Sequence, residues 1–258
     1  MAKKIAIAIR KGGVGKTATA NNLAAALAMK GRRTLLVDVD EQANATKGFG
    51  INPLVLSATL NDLFANDELD PASVVVEAGV KNLHILAGHP HLSRTETGMA
   101  LQRADPTAPD PIGTLKAILE PLDSQYDFII FDTPPAINYM TINALAAADE
   151  LLIPAAASAD TEDGIAEILG EYQRAVQRYN PSLRFRGVLV TRLKRTNASV
   201  MVYNNIIEAY PEATLPQTIV EATAVDEAKQ LNQPVVLYDP ESVAAQGYVR
   251  IAEMLEGE

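Results

Sequence analysis

Short apolar runs alternate with helical patterns along most of the chain. Residues 4–9 form the first run, read as a buried strand, and a glycine-rich turn leads from it into a helix predicted over residues 17–29. Gly31 follows as a helix stop. Residues 34–37, 82–86, 128–131, 151–153 and 187–190 read as further buried strands. Helical periodicity lies between them, clearest at 164–179 and 242–255. The Pro/Gly-rich stretch 88–113 holds a helical pattern of its own near 92–102, and another helix is expected at 197–210. Continuous apolar strands separated by helices predict an α/β fold, a doubly wound and mostly parallel sheet with helices on both faces. No repeat, low-complexity tract or linker interrupts the pattern, so one domain spanning residues 1–258 is expected.

Composition narrows the chemistry. Hydrophobic residues make up 48% and charged residues 21%, enough for a packed core and against global disorder. With no cysteine, disulfides, thiolate zinc sites, cysteine nucleophiles and thiolate-held iron–sulfur clusters are excluded. Trp is absent and aromatics are scarce, which argues against a base-stacking, single-strand-binding surface. The first apolar run stops at Arg10-Lys11, too short for a signal peptide or a membrane span, so a soluble cytoplasmic protein is expected. The net charge of −10 conceals two basic islands. Residues 1–37 carry Lys3, Lys4, Arg10, Lys11, Lys16, Lys30, Arg32 and Arg33 with no acid. Residues 174–195 carry Arg174, Arg178, Arg184, Arg186, Arg192, Lys194 and Arg195, again with none. Islands of one sign in an otherwise acidic chain suit anionic ligands.

The first island holds the strongest motif. Arg10-Lys11-Gly12-Gly13-Val14-Gly15-Lys16-Thr17 follows a strand and opens a helix. Glycines let the backbone aim several N–H groups at one anion, and the helix N-terminus adds partial positive charge. Lys16 can reach the β- and γ-phosphates of a nucleotide, and the Thr17 hydroxyl can ligate Mg²⁺. The usual phosphate-loop pattern places a glycine where this chain has Arg10; a second lysine, Lys11, stands before the glycines instead.

That loop resembles the K-G-G-x-G-K-[ST] signature of the ParA/MinD family of deviant Walker ATPases, and the likeness runs along essentially the whole chain. Val37-Asp38-Val39-Asp40-Glu41-Gln42-Ala43-Asn44-Ala45-Thr46 resembles the ParA segment D-x-D-P-Q-G-N-A-T. Asp132-Thr133-Pro134-Pro135 resembles its Walker B D-T-P-P, and Tyr238-Asp239-Pro240 with Ala245 to Tyr248 its C-terminal Y-D-P…A-x-x-Y. The resemblance implies ATP and Mg²⁺ as cofactors, a slow, partner-stimulated ATPase, an ATP-dependent homodimer, nonspecific DNA as a ligand, and a ParB-like or cargo-adaptor activator. It implies a nucleoid-associated protein that segregates or positions DNA or another cargo. It also makes Lys11 the signature lysine, reaching phosphates in the partner subunit, and assigns Gly12, Gly13, Val14, Gly15, Lys16, Thr17, Ala18 and Pro216 to the nucleotide.

The residues support further roles. Phosphoryl transfer needs an oriented nucleophile and neutralised charge more than covalent chemistry. Asp38 and Asp40 follow a buried strand at the edge where such sheets hold phosphates. Asp40 is the expected water-positioning group, so Lys11, Lys16 and Asp40 form the expected catalytic set. Asp38 and Asp132 are expected near Mg²⁺ through its waters, with Thr17 as the direct ligand. Three departures from the ParA pattern stand out. Ala18 replaces a hydroxyl that contacts the α-phosphate, Glu41 replaces a proline, and the segment from Leu215 to Glu221 lacks both arginines of I-P-R-x-V-R.

The second island carries the DNA expectation, at Arg192, Lys194 and Arg195 before a helix N-terminus and at Arg174 and Arg178 one helical turn apart. The alternative is that these cations pair with the acidic remainder. MinD-like membrane targeting needs a basic amphipathic C-terminus, whereas this chain ends Glu253-Met254-Leu255-Glu256-Gly257-Glu258, so no membrane partner is expected. His84, His89 and His91 are read as loop histidines rather than a zinc site. A metabolic ATP-dependent ligase of the same fold is the alternative function, because a phosphate loop does not identify the phosphate acceptor.

Overall fold

The run of apolar residues that opens the chain becomes β1 (Lys3–Ile7), and the phosphate loop leads from it into α1 (Lys16–Met29). A computed structural model describes residues 1–158 and 161–257. After α1 come β2 (Thr34–Asp38), α2 (Asn44–Lys47), α3 (Leu60–Ala65), β3 (Val76–Glu77), β4 (Leu83–Leu86), α4 (Leu92–Ala104) and α5 (Thr114–Leu119). Then follow β5 (Phe128–Asp132), α6 (Tyr139–Ala147), β6 (Glu150–Ala156), α7 (Thr161–Arg178), β7 (Arg184–Thr191) and α8 (Asn197–Ala209). The chain closes with α9 (Thr223–Gln230), α10 (Val235–Tyr238) and α11 (Val243–Glu256).

The strands form one seven-stranded sheet in the order β3-β4-β2-β5-β1-β6-β7. Only β3 runs antiparallel to its neighbour among these pairs. Every residue of β2 and β5 is buried, which is what a parallel strand covered on both faces requires. One face of the sheet packs against α1, α9, α10 and α11, and the other against α3 to α8. Small residues let α1 and α11 approach closely: Ala20, Ala24 and Ala28 on one, Ala244, Ala245 and Ala252 on the other, all buried. The apolar face of α11 is thereby used up inside the fold. Glu258, at the acidic end of the sequence, lies outside the described residues. Among the described residues, no helix is long and apolar enough to cross a membrane.

Element boundaries moved from the sequence reading for identifiable reasons. β1 ends at Ile7 rather than residue 9: Ala8 makes one last bond, to the Leu152 carbonyl, and the chain then turns into the loop. β7 begins at Arg184, three residues before its apolar run, as an edge strand whose first residue is exposed. The helix at Tyr139–Ala147 escaped the periodicity because it is buried almost all round and shows no polar face.

Topology sets the site. β1 hands the chain to β2 on one side of the sheet, while β5 hands it to β6 on the other. Successive elements diverge at this point, so a crevice opens at the carboxyl ends of the central strands, where such sheets bind ligands.

Candidate nucleotide site

The phosphate loop turns with Gly13 at φ +75° and Gly15 at φ +88°, conformations that a side chain would strain. Gly15 is the N-cap of α1, and no side chain caps this helix end or places an acid in its first turn. The first-turn N–H groups therefore face the crevice with the helix dipole behind them. Thr191, at the end of β7, donates its hydroxyl to the Val14 carbonyl at 2.7 Å and braces the loop from outside.

Lys16 is buried within this arch and donates to the Lys11 carbonyl at 2.6 Å. Burial lowers its pKa, and the charges of Asp132 and Asp40 oppose that shift. Thr17 donates its hydroxyl to Asp132 Oδ2 at 2.8 Å. The contact follows from sheet register: Asp132 pairs with Ile7 of β1 and with Asp38 of β2, so both carboxylates end their strands directly under the loop. Asp38 is fully buried and its Oδ2 accepts from the Thr46 N–H (2.8 Å) and hydroxyl (2.7 Å). The strand stops there, and Asp40 comes to the cavity wall through the turn that follows, its N–H bonded to Asp38 Oδ1 at 3.3 Å. Asp40 Oδ1 accepts from Gln42 N at 2.9 Å.

Burial pushes the Asp38 pKa up to about 6, and the nearby Asp40 charge adds to the shift. Asp132 is raised well above the usual carboxylate range, by burial first and by repulsion from Asp38 second. The Oδ1 atom of Asp132 is buried with no hydrogen-bond partner. An orphaned carboxylate oxygen on a residue bonded to a hydroxyl suits Mg²⁺ held directly by Thr17 and through water by Asp132, so the residues fit that ion in that mode. Carboxyls raised in the fold ionise more readily in the unfolded chain, so this pair withdraws stability as pH rises from the unfolded pKa through the folded one. Metal-free Asp132→Asn protein is expected to melt several degrees above wild type at pH 7.5, at about 2–4 °C per kcal/mol. The gap should narrow at pH 5 and close only as pH falls to the unfolded carboxyl range near 4. Melting curves in EDTA at the two pH values check this; a mutant that melts lower at pH 7.5 contradicts it.

A cavity of about 460 Å³ extends from the loop over α1. Ala18, Asn22, Asn44, Lys47 and Pro135 line it together with the loop and Asp40. Its far wall is the segment from Ile219 to Ala222, continued by α9 and by Asn232 to Val235. Pro216, expected at the nucleotide, is exposed and outside this lining. The segment is held across the end of β7, with Leu215 bonded to Val188 and Ile219 to Val190, and it reaches the cavity only from Ile219 onward. Lys11 and Val14 are also absent from the lining; Val14 is buried under the loop and Lys11 is half-buried at its start. Arg10 ion-pairs with Glu167 of α7.

Sequence reasoning missed several residues. Thr46 fixes Asp38 and also accepts the Gly88 N–H at 3.0 Å. Gly88 is small by necessity, because a Cβ there would come within 2.9 Å of both the Asp38 side chain and its carbonyl. Asn22 donates to the Ala18 carbonyl and accepts from Val236 N, tying α1 to α10. Asn44 to Thr46 stood inside the ParA-like segment, whereas Gly88 was marked only as the start of a Pro/Gly-rich stretch and not as a neighbour of Asp38.

The second basic island divides. Arg192 donates to the Gly13 carbonyl (3.0 Å) and to Glu221 (3.0 Å), and Lys194 pairs with the other Glu221 oxygen at 3.1 Å. Arg174 pairs with Glu171 on its own helix. Arg178 and Arg195 are exposed and meet no carboxylate among the described residues. His84 bonds the Tyr126 hydroxyl at 3.0 Å, while His89 and His91 stack edge to face. No group of three metal-ligating side chains occurs among the described residues.

Comparison with known proteins places this geometry in company. Residues 2–185 match the family model described as an AAA domain. The chain is 34% identical to the sporulation initiation inhibitor protein Soj of Bacillus subtilis over 254 residues, covering 98% of each. Among solved structures it resembles a Cyanothece McdA–ATP complex with a TM-score of 0.86 at 26% identity, covering 99% of this chain and 96% of that one. Cobyrinic acid a,c-diamide synthase from Mycobacterium smegmatis with bound ADP and magnesium gives a TM-score of 0.84 at 27% identity, covering 99% and 94%.

Proposed function

The chain belongs to the ParA/MinD family of P-loop ATPases, and from that membership we propose that it is a partition or positioning ATPase, one domain working as an ATP-driven dimeric switch on DNA. ATP and Mg²⁺ are its cofactors. The observation that carries the reading is the site itself: an uncapped helix N-terminus, a buried Lys16, Asp132 bonded to Thr17 and in register with Asp38, and Asp40 on the cavity wall. Thr17, with Asp38 and Asp132 through water, would hold Mg²⁺, which supplies charge neutralisation on the phosphates. The loop N–H groups and Lys16 bind the β- and γ-phosphates. Asp40, on the cavity wall and braced by Gln42, orients the attacking water. Lys11 acts across the dimer, and its backbone carbonyl anchors the Lys16 ammonium within the same loop. A slow cycle follows if the dimer and a partner protein complete the site. Likeness to the chromosome partitioning protein ParA of Myxococcus xanthus, 32% identical over 253 residues and covering 97% of this chain and 87% of that one, supports partition.

The likeness to the diamide synthase keeps an ATP-dependent ligase as the second reading. DNA response separates the two. Replacing Lys194 or Arg195 by alanine is expected to weaken duplex binding about equally on unrelated sequences. The slope of log affinity against log salt should shrink by roughly 0.9 per lost contact. Unchanged slopes with a lowered melting temperature would show that these cations serve only the fold.

A further inference from the structure

Resting on the DNA reading, we propose that Glu221 is an internal competitor for polyanions: it holds Arg192 and Lys194 in one latch whose other end is the phosphate loop. The geometry is specific. The Glu221 carboxylate presents one oxygen to each cation, at 3.0 and 3.1 Å, and its pKa is depressed by both. The same Arg192 guanidinium donates to the Gly13 carbonyl, so one side chain touches the nucleotide loop and the DNA-facing island together. Arg192 holds this position from a left-handed backbone (φ +51°), uncommon for a residue with a side chain. Backbone bonds fix the approach: Leu193 N to Ile219 O, and Glu221 N to Leu193 O.

Glu221 and Arg192 both line the nucleotide cavity. A polyphosphate in the loop brings several negative charges beside them, repelling the carboxylate and attracting the guanidinium. Each pair is about half exposed on the cation side, so it is worth only a few-fold in equilibrium and can be exchanged for a phosphate contact. Loosening Glu221 releases Lys194 to solvent, where it adds a DNA contact. Nucleotide occupancy is thereby coupled to the charge offered to DNA within one subunit, independently of dimerisation.

Glu221→Gln keeps the shape and removes the competitor. Duplex binding of wild type and variant is measured without nucleotide, in Mg·ADP and in Mg·ATP. The variant should bind about three- to tenfold tighter than wild type without nucleotide, with a steeper salt dependence and a smaller gain from ATP. Adding Lys194→Ala should return its affinity to the wild-type level or below; Glu221→Ala gives the same reading should the glutamine variant misfold. Wild type binding DNA in ATP while Glu221→Gln matches it in every state overturns the latch alone. Neither protein binding duplex in any state overturns the DNA reading and the latch with it.

Discussion

Lys16→Ala is expected to lose measurable Mg·ATP binding while remaining folded. Lys16 is the cation enclosed by the phosphate loop, buried and held by the Lys11 carbonyl under the arch. A charged hydrogen bond is worth about 1.5–3 kcal/mol, or roughly 10–150-fold in affinity. The loss should be larger, because Asp132 and Asp40 draw their balancing charge from this lysine. Without it, the triphosphate would enter a site whose nearest fixed charges are carboxylates. Titration calorimetry with circular dichroism as a folding control checks the result. An affinity within a few-fold of wild type would remove the phosphate-loop assignment.

Asp40→Ala should separate binding from turnover. Asp40 touches the cavity but makes none of the phosphate-loop contacts; its carboxylate is fixed by Gln42 N, and its own N–H holds Asp38. On the proposed role, removing the side chain takes away water orientation and leaves Lys16, Thr17 and Asp132 in place. ATP affinity should stay within a few-fold, turnover should fall by about 100-fold or more, and the ATP-bound dimer should accumulate. Turnover and dimer fraction measured on the same sample decide it. Hydrolysis at the wild-type rate would mean that another group positions the water.

What the sequence revealed and what it hid follow from distance along the chain. The loop from Lys11 to Thr17 is local: its glycines, lysines and following helix sit together, and strand–turn–helix was readable from periodicity alone. Asp38 and Asp132 were readable as strand ends. Their meeting depends on β2 and β5 pairing in register, which no local pattern encodes. Thr46 and Gly88 support Asp38 from two different elements, one a single helical turn and the other the residue pair beyond β4. Pro216 is expected at the nucleotide from the sequence, whereas the part of its segment that lines the cavity begins at Ile219, because the path is fixed by bonds to β7 and to Leu193. Glu221 illustrates the same limit. Its sign was visible, yet its pairing with Arg192 and Lys194 follows from the isolated bridge between Leu193 and Val220.

Sedimentation of wild-type protein with a labelled nonspecific duplex, in Mg·ATP and in Mg·ADP, tests the switch most directly. The duplex should travel with a protein dimer in Mg·ATP and sediment free of it in Mg·ADP, the difference fading as salt is raised. Equal association in both nucleotides, or none in either while ATP is bound, would contradict an ATP-driven switch on DNA.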